Sequence, residues 1–68
     1  MNVVIDLHGV KHENVEHILH SACVEHTTPF IVITGKSADM KRIVSDAVKL
    51  LGLTARDTID NPGRLVIE

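Results

Sequence analysis

Residues 2–9 read NVVIDLHG, and the way this stretch ends decides how the rest of the chain is read. Val3, Val4 and Ile5 are the β-branched run of a strand, and Gly9 closes it. Side chains alternate along a strand, so Val3, Ile5 and Leu7 share one face and Val4, Asp6 and His8 share the other. An aspartate and a histidine thus leave the strand on the side away from most of its apolar residues.

Moving outward from this strand, apolar residues recur at Val15, Ile18, Leu19, Ala22 and Cys23 between Lys11 and about His26. That spacing predicts a helix whose Glu and His residues lie largely on the opposite side. TTP (27–29) breaks the pattern, and FIVIT (30–34) reads as a short apolar strand. After GKS (35–37), Ser37 suits a helix N-cap, and Asp39 places negative charge in the first turn. Met40, Ile43, Val44, Ala47, Leu50 and Leu51 form a second apolar stripe, and Gly52 supplies a helix stop. TARDTID (54–60) and RLVIE (64–68) flank NPG, the pattern of a closing hairpin.

The order is therefore β-α-β-α-β-β, with no linker, low-complexity tract or repeat to divide residues 1–68 into more than one domain. Strands joined by a crossover helix are usually parallel neighbours, connected right-handedly. Two helices suffice to cover one face of a four-stranded mixed sheet. The expected fold class is an α/β two-layer sandwich, with both helices on the Ile5–Leu7 side and Asp6 and His8 on the uncovered side.

At 68 residues the core is thin; a chain of about 60 residues hides only about 60% of the surface its unfolded form exposes. No segment approaches the roughly 20 apolar residues of a membrane span. Cys23 is the only cysteine, which excludes a disulfide framework and a thiolate cluster. MNVVIDLHG lacks the basic segment and cleavage site of a secretory leader, so the expected location is the reducing cytoplasm. The net charge of −2 gives no global attraction to phosphate. Nucleic-acid binding would have to come from a local arrangement of Lys36, Arg42, Arg56 and Arg64. With Phe30 as the one aromatic, a stacking platform for single strands is excluded.

In open sheets of this kind ligands bind beyond the C-terminal ends of the strands. DLHG ends the first strand and TGKS the second, so the two turns should meet, and both helices should begin there with unpaired N–H groups. An anion site is expected at that edge. Gly9 gives the backbone room to turn, Gly35 permits close approach, Lys36 adds charge and Ser37 opens the helix. TGKS is not a P-loop, because the first glycine of that motif would fall at Phe30. Asp6 is placed to orient the His8 imidazole, or else to make a local turn bond. Arg56 and Arg64 would join Asp6, His8 and Thr34 if the hairpin register matches the polar face; otherwise they keep the sheet hydrated. Glu13, Glu16, His17 and His20 form a helical stripe that could capture zinc or nickel, although the H-E-x-x-H spacing is absent. The plainer reading is a solvated helix face.

IDLHG followed by VITGKS resembles the two signatures of the Smr (small MutS-related) domain, a leading Asp-Leu-His-Gly and a later [His/Thr]-Gly-x-Gly. The resemblance covers nearly the whole chain and includes the element order. It implies a fold similar to the C-terminal domain of bacterial translation initiation factor three. It also implies DNA or RNA as partner and, in several members, metal-assisted endonuclease or nicking activity. By position, the site would comprise Asp6, His8, Gly9, Thr34, Gly35 and Lys36. Asp6 and His8 would be the catalytic pair and ligands of a divalent ion such as Mg²⁺ or Mn²⁺. Ser37 stands where the motif has its last glycine, and the loop before the second helix is short. The alternative is a non-catalytic module for a protein or a small anion on the same scaffold, with a protein partner or a second copy in place of nucleic acid.

Overall fold

The computed structural model describes residues 3–58 and 62–68. Its elements follow the expected order: β1 (Val4–Asp6), α1 (His12–Glu25), β2 (Phe30–Ile33), α2 (Ala38–Lys49), β3 (Ala55–Asp57) and β4 (Arg64–Ile67). The sheet order is β1-β2-β4-β3. β1 and β2 are parallel, pairing Val4 with Ile31, Ile5 with Val32 and Asp6 with Ile33. The ladder extends past Asp6, where the Leu7 N–H donates to Ile33 O at 2.9 Å. β4 runs antiparallel to both β2 and β3, which makes the sheet mixed.

Alternation explains where the core lies. Leu7, Phe30, Val32, Leu65 and Ile67 point to one side and are buried, packed with Val15, Leu19 and Ala22 of α1 and Met40, Val44, Ala47 and Val48 of α2. Both helices thus lie on one face, as expected. Fully burying a side chain of this size contributes about 1.5–3 kcal/mol, and Phe30, at 0% exposure, is the largest such side chain. Burial pushes the pKa of the half-buried Cys23 thiol up.

α2 begins as its sequence implies: Ser37 is the N-cap, and its Oγ accepts the Met40 N–H at 3.2 Å. Its end departs from the apolar stripe. The helix stops at Lys49, and the chain reverses through Gly52, whose N–H donates to Lys49 O at 3.0 Å while that of Leu53 donates to Val48 O at 2.9 Å. This is the bonding of a Schellman stop. Leu50 and Leu51 are swung outward to 79% and 38% exposure, and Val48 fills the core in their place. α1 closes with the His26 N–H donating to Ala22 O.

The hairpin strands are antiparallel, with Arg56 opposite Val66 and Asp57 opposite Leu65. The first strand is shorter than the expected 54–60, and residues 59–61 lie outside the described residues. An ion pair from Lys41 Nζ to Asp57 Oδ1, 3.2 Å long, ties α2 to β3. Among the described residues, no helix is long and apolar enough to cross a membrane.

Candidate functional site

Because β1 and β2 run in the same direction, their exits and the starts of both helices share one edge of the sheet. The closeness of the two turns is measurable. A Cβ placed on Gly35 would sit 3.4 Å from Cδ2 of His8, so the imidazole of the first motif lies against the backbone of the second. The first turn is closed by the Val10 N–H donating to Leu7 O at 3.0 Å. Gly9 occupies its third position at φ +81°, the left-handed conformation that such a turn requires. A side chain there would meet nothing within 4 Å, so the demand is on backbone conformation and not on space. Gly35 makes the same demand at φ +69°.

Asp6 and His8 are both exposed; Asp6 lies on the helix-free side in register with Ile33, and His8 lies in the turn that follows the strand. The Asp6 carboxylate accepts the backbone N–H of His8 at 2.9 Å through Oδ1, the local turn bond. That bond ties the carboxylate into the turn while the side chain stays exposed.

Thr34 does not join this exposed pair. It shares the parity of Phe30 and Val32, is 3% exposed, and its hydroxyl donates to Gly35 O at 2.8 Å and to Gly63 O at 3.3 Å. Gly63 O also accepts the backbone N–H groups of Thr34 at 2.9 Å and Gly35 at 3.0 Å. These amides are therefore engaged within the fold. What the second turn offers a ligand is the exposed Lys36 and the helix start behind Ser37.

The two arginines separate. Arg64 is opposite Ile33, which is opposite Asp6, so Asp6, Ile33 and Arg64 form one row across the open face. The Arg64 side chain is half-buried, and its Nε is buried with no hydrogen-bond partner among the described residues. Arg56 lies in the next row, beside Val66 on the far edge strand, and its Nε donates to Glu68 Oε1 at 3.0 Å. It faces the Pro29–Phe30 end of β2, away from the two turns.

Lys11 was not among the sequence-derived candidates. It is the exposed N-cap residue of α1 and makes no side-chain cap bond, so it stands before α1 much as Lys36 stands before α2. Its position directly ahead of the first helical residue was the available signal. The anchoring carbonyl of Gly63, 29 residues from Thr34, had none.

Asp6 and His8 offer two ligating groups. Among the described residues no group of three or more His, Cys, Asp or Glu is placed to hold a metal ion. A divalent ion at this edge would need most of its ligands from a substrate, so the residues present do not by themselves fit a resident metal. The same holds on α1, where Glu13, Glu16, His17 and His20 line a groove of about 380 Å³ against Ala47, Leu50 and Leu51. Comparison with protein-family models, curated proteins and solved structures finds no match to the chain.

Proposed function

We propose that the edge formed by DLHG and TGKS binds the phosphate backbone of DNA or RNA. The observation that carries this reading is the meeting of the two turns, with His8 against Gly35, where exposed Lys11 and Lys36 each precede a helix start. Lys11, Lys36 and the two helix N-termini are the positive groups of this edge, set among Asp6, Glu13 and Asp39 on a chain whose net charge is −2. The resemblance of IDLHG and VITGKS to the Smr signatures supports the same partner.

Binding of this kind depends on salt. With Lys11 and Lys36 as the phosphate contacts, log K against log salt concentration should fall with a slope of about −2. Fluorescence anisotropy with labelled single-stranded, duplex and hairpin oligonucleotides measures it. A salt-independent interaction, or binding unaltered by Lys11→Glu together with Lys36→Glu, would remove this edge as the site, and no binding at all would favour the protein-binding module.

Cleavage rests on Asp6 and His8 alone, and the chain derives no metal-dependent step from its own residues. Supercoiled DNA and structured RNA, incubated with and without Mg²⁺ or Mn²⁺, test it. Cleavage that disappears in both Asp6→Ala and His8→Ala supports hydrolysis, whereas equal cleavage by all three proteins indicates contamination. Binding without cleavage leaves a nucleic-acid-binding module.

A further inference from the structure

The helix-free face of the sheet carries a pattern that matches itself. In the row nearest the two turns, Asp6 and Arg64 flank Ile33; in the next row, Val4 and Val66 flank Ile31. Charges of opposite sign therefore stand one strand to either side of β2, about 10 Å apart, with apolar residues along β2 itself. Val4 is 52% exposed, and Ile31, Ile33 and Val66 are only half-buried.

We infer that this face is an isologous interface with a second copy of the chain, related by a two-fold axis lying along β2. Rotation about that axis exchanges the β1 and β4 positions. Asp6 of each copy then meets Arg64 of the other, Ile33 meets Ile33, Ile31 meets Ile31, and Val4 meets Val66. A two-fold axis across the strands would instead set Asp6 against Val4 and Arg64 against Val66, burying four charges on apolar side chains, an unfavourable arrangement. The charge pattern thus selects one axis and one register. The two sheets would pack as aligned layers, strands within about 30° of each other.

Two observations beyond the exposed apolar residues support a second copy as the occupant. The Arg64 side chain is only half-buried, so part of this cationic side chain stays open on the face that an acceptor would approach. The carboxylate of Asp6, bonded within its own turn through Oδ1, is exposed on the same face and open to a donor from outside. β3 has no counterpart beyond β1 of the other copy, so its exposed Arg56–Glu68 ion pair falls at the rim, where polar groups belong. Three of the four short strands overlap in this arrangement, a plan area on the order of 200 Å² per copy, which is below the size of a stable interface and makes the dimer a weak, reversible one. Since the axis runs along the strands, both copies would present their DLHG and TGKS turns at the same end.

Sedimentation equilibrium from about 10 μM to 1 mM, without nucleic acid, tests this independently of the proposed function. The wild-type chain should dimerise across that range. Asp6→Arg and Arg64→Asp should each weaken dimerisation at least tenfold, because like charges then face each other. An equimolar mixture of the two variants should associate again, since every facing pair in the mixed dimer is of opposite sign; a change acting only within one chain cannot produce that result. Circular dichroism checks that each variant is folded. Ile33→Lys, which sets two like charges on the axis, should also give a monomer and serves if Arg64→Asp does not fold. A wild-type chain that stays monomeric at 1 mM overturns the inference. So does dimerisation unaffected by Asp6→Arg or Ile33→Lys, or a mixture of folded variants that does not associate.

Discussion

On its helix-covered side the sheet presents Leu7, Phe30, Val32, Leu65 and Ile67, none more than 3% exposed. On the other side Val4, Ile31, Ile33 and Val66 stand among Asp6, Arg56 and Arg64, and none of these is buried. The two faces come from the same strands, one residue out of phase, and both contain β-branched apolar side chains. Composition alone does not separate core from surface here. The separation comes from the helices, whose apolar stripes can match only one side, and from the placing of charge among the residues of the other.

The largest way to break that contrast is to empty one side and then the other. Phe30→Ala should cost about 3–5 kcal/mol, enough to threaten the fold of so small a domain, whereas Ile31→Ala next to it should cost less than half as much. Urea unfolding followed by circular dichroism, at a concentration too low for self-association, measures both, and equal losses would mean that the open face is covered within the monomer. At the edge where the faces meet, Lys36→Glu should weaken oligonucleotide binding about tenfold and flatten the salt slope by about 1, with the unfolding midpoint unchanged. Ser37→Ala removes the acceptor of the Met40 N–H and should cost about 1 kcal/mol in the same unfolding assay; a neutral result would mean that solvent replaces the cap.

The smallest effect is one of pH. The folded state raises the Cys23 pKa by burial, so the unfolded chain releases this proton first as pH increases. The stabilisation is fully present at neutral pH and declines as pH climbs through and above the ordinary thiol range. Cys23→Ala should show a shallower alkaline loss of stability than the wild-type chain, and identical profiles would show that the thiol is effectively solvated.

Most of the architecture was legible because local and long-range signals agreed. The alternation in NVVIDLHG separated Leu7 from Asp6 and His8; Ser37 announced α2; two strands bracketing α1 implied parallel neighbours. The failures arose where pairing or chain reversal overrides a local pattern. Leu50 and Leu51 continue a helical period that the turn at Gly52 cuts short. Thr34 has the parity of a core position, but its hydroxyl suggests surface until the carbonyl of Gly63 is seen beside it. The separation of Arg64 from Arg56 depends on a hairpin register that no residue within either strand specifies. At the candidate site, the joining of the two turns could be read in advance, while the engagement of the Thr34 and Gly35 amides could not.

The sheet order β1-β2-β4-β3 has a consequence for synthesis. β4, the last of the four strands in chain order, is the one that must slide between β2 and β3. Until Arg64–Ile67 has emerged, β3 has no neighbour to bond with and the core lacks Leu65 and Ile67. The nascent chain can assemble β1, β2 and the helices only provisionally, and closure of the sheet must await the emergence of β4.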